Sequence, residues 1–109
     1  VMPDPKIFGE KSIMVLGEFG GLGLPLEGHT WQLKDNWGYQ SFSTAEDLKA
    51  RYSALIDDLS KYIPRGLAAA VYTQTTDVEI ETNGLMTYDR QVIKIAIEEL
   101  KKMHEKLYK

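Results

Sequence analysis

Residues 12–21 read Ser12-Ile13-Met14-Val15-Leu16-Gly17-Glu18-Phe19-Gly20-Gly21, a short branched apolar run that ends in an acid among glycines. Such a run suits a β-strand buried on both faces. It predicts a first strand over about Ser12–Glu18, with Glu18 at the junction of buried strand and loop. A carboxylate is costly to desolvate there unless the site uses it. Two ordinary roles compete for it, a solvated acid at a strand end or the partner of a lysine. Gly17, Gly20 and Gly21 weigh against both, because they remove side chains around the acid as a ligand's approach to the backbone requires.

Downstream of this strand, residues 20–42 form a long connection holding Trp31, Trp37 and His29. Loops of this length without secondary structure of their own are uncommon and usually functional. Ser43-Thr44-Ala45-Glu46 has the form of a capping box, with Ser43 as N-cap. Leu48, Tyr52, Leu55, Ile56, Leu59, Tyr62 and Ile63 follow at spacings of three and four, the stripe of an amphipathic helix that Pro64-Arg65-Gly66 ends. Leu67–Thr73 is a second apolar run of strand length, and its three alanines predict a crowded interior. Residues 74–88 read as a polar loop with a turn at Asn83-Gly84. Within it Asp77, Glu79 and Glu81 alternate with Val78 and Ile80, as in a half-exposed extended segment. Asp89 is placed to cap a last helix whose apolar face is Val92, Ile93, Ala96, Ile97, Leu100, Met103 and Leu107, with Lys101, Lys102, Lys106 and Lys109 toward its C-terminal end. Residues 1–11 read as an extended lead-in.

The order is strand, helix, strand, helix: an α/β chain whose two strands are parallel, joined by a right-handed helical crossover. Two parallel strands make a poor free-standing domain, since parallel sheets need cover on both faces and these strands leave open edges. The chain therefore reads as two consecutive βα units of something larger, and Val1 ahead of Met2 suggests a cut piece.

Composition narrows the function. The 109 residues are 43% hydrophobic and 27% charged, which fits one modest globular domain. A net charge of −3 argues against a nucleic-acid partner held by a basic face. No apolar stretch approaches the roughly 20 residues a membrane helix needs, and the first five residues lack the marks of a signal peptide. Cysteine is absent, which excludes disulfides, thiolate metal sites and cysteine nucleophiles. His29 and His104 are far apart and no acid cluster has ligand spacing, so neither a metal nor another cofactor is expected.

The glycines after Glu18 match neither the dinucleotide fingerprint nor the phosphate loop, and no Lys-Ser/Thr pair follows. Trp31, Trp37 and Tyr39 read either as a loop packed on itself or as the aromatic wall of a sugar site. Tyr72, Thr73 and Gln74 end the second strand at the edge that Glu18 occupies if the strands are parallel.

The segment Val15-Leu16-Gly17-Glu18-Phe19-Gly20-Gly21-Leu22-Gly23-Leu24-Pro25, with Gly28-His29-Thr30-Trp31, resembles the nucleophile segment of glycoside hydrolase family 2. The segment from Gly66 through Tyr72-Thr73-Gln74-Thr75-Thr76-Asp77 to Asn83-Gly84-Leu85-Met86-Thr87-Tyr88-Asp89 is similar to the last strand and loop of that family's catalytic barrel. The resemblance implies strands seven and eight of a (β/α)8 TIM barrel, with their helices, from a β-galactosidase-like or β-glucuronidase-like enzyme. It gives Glu18 the role of catalytic nucleophile and implies His29, Trp31, Trp37, Tyr72 and Gln74 as contacts to a carbohydrate substrate. The acid/base glutamate of the family follows strand four, which has no counterpart in this sequence, so the isolated chain is expected to be inactive. Its exposed strand edges and helix faces predict that it self-associates, exchanges elements between copies, or adopts a compact sheet with helices on one side. The competing expectation is a stand-alone α/β carbohydrate-binding or assembly module without catalysis.

Overall fold

The structure, a computed structural model, describes residues 13–32 and 34–108. The expectations for residues 1–11, for Ser12 and for Lys109 lie outside the described residues. The elements in chain order are β1 (Met14–Gly20), β2 (Leu22–Gly23), β3 (Gln40–Ser41), α1 (Ala45–Tyr62), β4 (Leu67–Thr73) and α2 (Ile97–Glu105), with single 3-10 turns at Ile63–Arg65 and Lys106–Tyr108. It is a mixed α/β chain. Strands β1 and β4 pair in parallel, from Met14 opposite Leu67 to Gly20 opposite Thr73, and α1 is the crossover between them.

The core forms on one face of this sheet. Leu48, Tyr52, Ile56 and Leu59 recur every three or four residues along α1 and are buried together with Leu22, Leu24, Leu67 and Ile95. Each such side chain withdrawn from water contributes roughly 2 kcal/mol before entropy is counted. Leu16, Phe19, Ala70 and Tyr72 bring the sheet onto the same cluster. The opposite face is open. Val15 is 54% and Val71 55% exposed, and Ala69, opposite Val15, is exposed as well. This corrects two expectations, that the first strand is buried on both faces and that the alanines mark a crowded interior. One helix layer covers one face, and no second layer is present among the described residues.

The long connection after β1 is more ordered than its composition indicates. Strands β2 and β3 pair in parallel within it, and Trp37 bridges to the loop after β4 through Trp37 N–H to Ile80 O (2.6 Å) and Thr82 N–H to Trp37 O (2.7 Å). Gly20 and Gly21 have φ of 102° and 73° and lie against the rings of Tyr72 and Tyr39, where a Cβ has no room. Their role is close packing of the loop, whereas Gly17 faces open space.

Helix boundaries differ from expectation at both helices. The N-cap of α1 is Thr44, one residue later than Ser43, and its hydroxyl accepts from Asp47 N–H at 3.2 Å. At its end Pro64 enters the 3-10 turn and Gly66 N–H donates to Ile63 O at 3.0 Å. The last helix starts at Ile97, not near Asp89, because residues 93 and 94 are tied to the loop after β4. Ile93 bridges Met86, and Lys94 N–H donates to Leu85 O at 2.8 Å. Glu98 and Glu99 in the first turn of α2 and Lys102 and His104 in its last complement the helix dipole. Lys49 to Glu99 (2.9 Å), Lys106 to Asp57 (2.8 Å) and the Tyr52 hydroxyl to His104 Nε2 (2.6 Å) fasten α2 and its tail to α1. Thr44→Ala is expected to lower stability in urea unfolding by about 1 kcal/mol, and Ser43→Ala by less than about 0.5 kcal/mol.

Candidate functional site

A shift of register decides how Glu18 is presented. Leu16 lies opposite Ala70 and Phe19 opposite Tyr72, so Gly17 and Glu18 together oppose Val71 alone. The extra residue is a β-bulge, which bends the strand and re-aims a side chain. Phe19 therefore stays on the helix-covered face, where it meets Tyr72 edge-on at 5.2 Å, and Glu18 is exposed. Glu18 lines an open groove of about 410 Å³ with Gly20, Tyr39, Gln40, Arg51 and Thr73. Among the described residues it is the only acid lining that groove and has no hydrogen bond or ion pair. Arg51 Nε donates to Gln40 Oε1 at 3.3 Å, fixing one wall. An unpaired carboxylate in this setting can act as a nucleophile, a base or an ion-pair partner. A second carboxyl group is needed before it can cleave a glycosidic bond.

The remaining sequence-predicted residues separate into three places. Tyr72 is wedged between Phe19 and Tyr52, whose ring centroid is 5.1 Å away, and burial together with the nearby Tyr52 pushes its phenol well above the usual range. Tyr52 is likewise pushed up to about 12 by burial. Gln74, one residue past β4, donates from Nε2 to Asn83 Oδ1 at 2.7 Å. Its peptide bond to Thr73 is cis. Trp37 stacks edge-on with Tyr39 at 4.6 Å, and Tyr39 is the ring that lies against Gly21 at the groove.

His29 and Trp31 dock together on the turn at residues 87–91. His29 Nδ1 donates to Asp89 Oδ2 at 2.8 Å, and Trp31 meets Tyr88 edge-on at 5.8 Å. The other oxygen, Asp89 Oδ1, accepts from the Thr87 hydroxyl (2.6 Å) and from Gln91 N–H (3.1 Å). These donors, the Thr87 hydroxyl foremost, hold the Asp89 carboxyl down to about 2. Asp89 thus braces a turn and a histidine, in place of the helix cap expected of it. The two tryptophans do not form one wall.

Sequence reading missed the buried polar cluster in the loop after β4. Asp77 is only 4% exposed, which corrects its expected place on a half-exposed extended segment. Its Oδ1 accepts from Lys94 Nζ (2.8 Å) and from Gly84 N–H (2.8 Å), and Lys94 Nζ also donates to Thr82 O (2.8 Å). Asp77 Oδ2 and Asn83 Nδ2 are buried without a hydrogen bond. Burial pushes the Asp77 carboxyl up and the Lys94 ammonium down, and the contact between them opposes both shifts. The 17-residue separation of Asp77 and Lys94 is no helical or strand spacing, so no local signal announces the pair. Among the described residues no group of three His, Asp or Glu side chains is placed to hold a metal ion.

Two outcomes follow from these contacts. Lys94→Met strands the Asp77 charge and is expected to cost about 3–5 kcal/mol in chemical unfolding, while the double variant Asp77→Leu/Lys94→Met recovers most of that loss. The Asp89 carboxyl sits at about 2 when folded against 3.8 when free. Its contribution is therefore complete above about pH 4 and lost as pH falls toward 2. The Trp31 indole resonance is expected to report that release in the native chain and to stay flat across the same range in Asp89→Asn. No protein-family model matches the chain, and no curated protein matches it.

Proposed function

We propose that Glu18 is the nucleophile of a retaining β-glycosidase, and that this chain forms the seventh and eighth strand–helix units of its (β/α)8 barrel. The observation that carries the reading is the parallel β1–β4 pairing with its bulge at Gly17-Glu18, which sets one unpaired carboxylate at the C-terminal edge of two parallel strands. Barrel enzymes hold their catalytic side chains at that edge. The open sheet face at Val15, Ala69 and Val71 supports the same reading. In a barrel the inward side chains of the other strands cover such a face. A self-contained binding module has to cover it within itself, and the described residues do not.

In this mechanism a Glu18 oxygen attacks the anomeric carbon as the bond to the leaving-group oxygen breaks. That oxygen takes a proton from a carboxylic acid about 5 Å from Glu18, supplied by another strand of the barrel. The resulting glycosyl ester on Glu18 is hydrolysed by water, which the same group, now a carboxylate, deprotonates. Two inversions give net retention. Tyr39 and Thr73 line the groove as substrate contacts. Tyr72, wedged beneath the strand end, acts through packing.

The test has two arms. The 109-residue chain alone is expected to leave aryl β-glycosides intact, since its groove offers one acid. In a polypeptide that completes the barrel, an activated fluoroglycoside is expected to add one glycosyl unit to Glu18 by peptide mass spectrometry. Labelling of any other acid, or turnover by the chain alone that survives Glu18→Gln, contradicts the assignment.

A further inference from the structure

Asn83-Gly84 is the one Asn-Gly pair of the chain, and packing dictates its second member. A Cβ at residue 84 would run into the backbone of Thr76 and Asp77, so only glycine fits. A glycine after asparagine gives its own amide nitrogen no steric cover, which makes the pair chemically labile. Once deprotonated, the Gly84 nitrogen can attack Asn83 Cγ, closing a succinimide ring as the Cγ–Nδ2 bond breaks and ammonia leaves. Water then opens the ring at either carbonyl, giving aspartate or isoaspartate. In the folded chain both reacting groups are occupied. Gly84 N–H donates to Asp77 Oδ1 at 2.8 Å, so removing its proton would set an amide anion against a carboxylate. Asn83 Oδ1 accepts from Gln74 Nε2 at 2.7 Å, which ties the side chain to the end of β4. Asn83 is 1% exposed, so water and base are kept from it. Lys94 Nζ donates to Asp77 Oδ1 and to Thr82 O, both at 2.8 Å, and ties the two sides of this loop together.

We propose that Asn83 is a self-modification site gated by local opening of the loop after β4, and that its conversion holds that loop open. Opening parts Gly84 from Asp77 and admits water, and the succinimide forms. Two effects then bar reclosure. The new carboxylate would have to enter a buried cluster that already contains Asp77, whose Oδ2 lacks a hydrogen bond, with Lys94 as its cation. Like charges so placed repel, and a buried charge without a partner is strongly destabilising. The isoaspartate form also adds a backbone atom ahead of Gly84, which displaces Gly84 N–H from Asp77. The reaction needs water and no other partner, so it stands apart from Glu18 and from the carbohydrate reading.

The experiment follows amide-to-acid conversion at Asn83 by peptide mass spectrometry in the 109-residue chain, held in mildly alkaline buffer with and without urea. Asn83 is expected to convert about 100-fold more slowly in the native chain than in urea, the protection of a loop that is rarely open. Lys94→Met, which unties the loop, is expected to raise the native rate about 10-fold. Thr44→Ala, which weakens only the cap of α1, leaves that rate unchanged. Hydrogen exchange on Asn83→Asp, which carries the product charge, is expected to show the Gly84 amide unprotected and the amides of α1 still protected. Equal rates with and without urea overturn the proposal, and that comparison uses the unaltered chain. A rate raised as much by Thr44→Ala as by Lys94→Met overturns it too, since conversion then runs through global unfolding. So does an Asn83→Asp chain whose Gly84 amide stays protected.

Discussion

Parallel pairing of β1 with β4 is the constraint from which the rest of this structure follows. Two parallel strands cannot be joined by a tight turn, so the chain needs a crossover, and α1 supplies it with a face spaced to cover one side of the sheet. Parallel pairing also brings both strand ends to one edge. Gly20 lies opposite Thr73, and the loops after both strands start from the same place. That is why Glu18 and Thr73, 55 positions apart, share a groove. The same pairing leaves the far face bare, which is the strongest physical argument that this sheet belongs to a larger one.

The two loops at that edge are tied together by polar contacts that core packing alone does not provide. Backbone hydrogen bonds join Trp37 and Leu24 to the segment at residues 80–82. Beneath them Asp77 and Lys94 form an ion pair almost wholly withdrawn from water. Such a pair adds little net stability, because desolvation offsets most of its attraction. The unpaired Asp77 Oδ2 and Asn83 Nδ2 add a further cost. The effect of the pair is one of registry: the Asp77 carboxylate holds Gly84, the Lys94 ammonium holds Thr82, and Lys94 is kept out of the following helix. A loop set this firmly at the strand edge suits a site whose geometry matters.

Much of the fold is legible in the sequence where the deciding contacts are local. Leu67–Thr73 reads as a strand and is one, and the stripe from Leu48 to Tyr62 reads as a helix and is one. The α1 cap shifts by one residue because Ser43 and Thr44 are chemically equivalent candidates and only backbone geometry separates them. The start of α2 is not legible, since the apolar spacing from Val92 continues smoothly into the helix. A hydrogen bond from Lys94 to Leu85, and the pairing of Lys94 with Asp77, override it. The site divides the same way. Glu18 stands out from its neighbours, whereas Asp89 behind His29, 60 positions away, becomes visible only when the two loops are docked.

The central claim is that Glu18 is the group that takes the sugar, and chemical rescue tests it most directly. In a polypeptide that completes the barrel, Glu18→Gly removes the nucleophile and leaves a space that azide can fill. Added azide is expected to restore turnover of an activated β-glycoside and to yield the α-glycosyl azide, because only one of the two inversions then takes place. Absence of rescue in a folded variant, or a β-configured azide product, contradicts the assignment of Glu18.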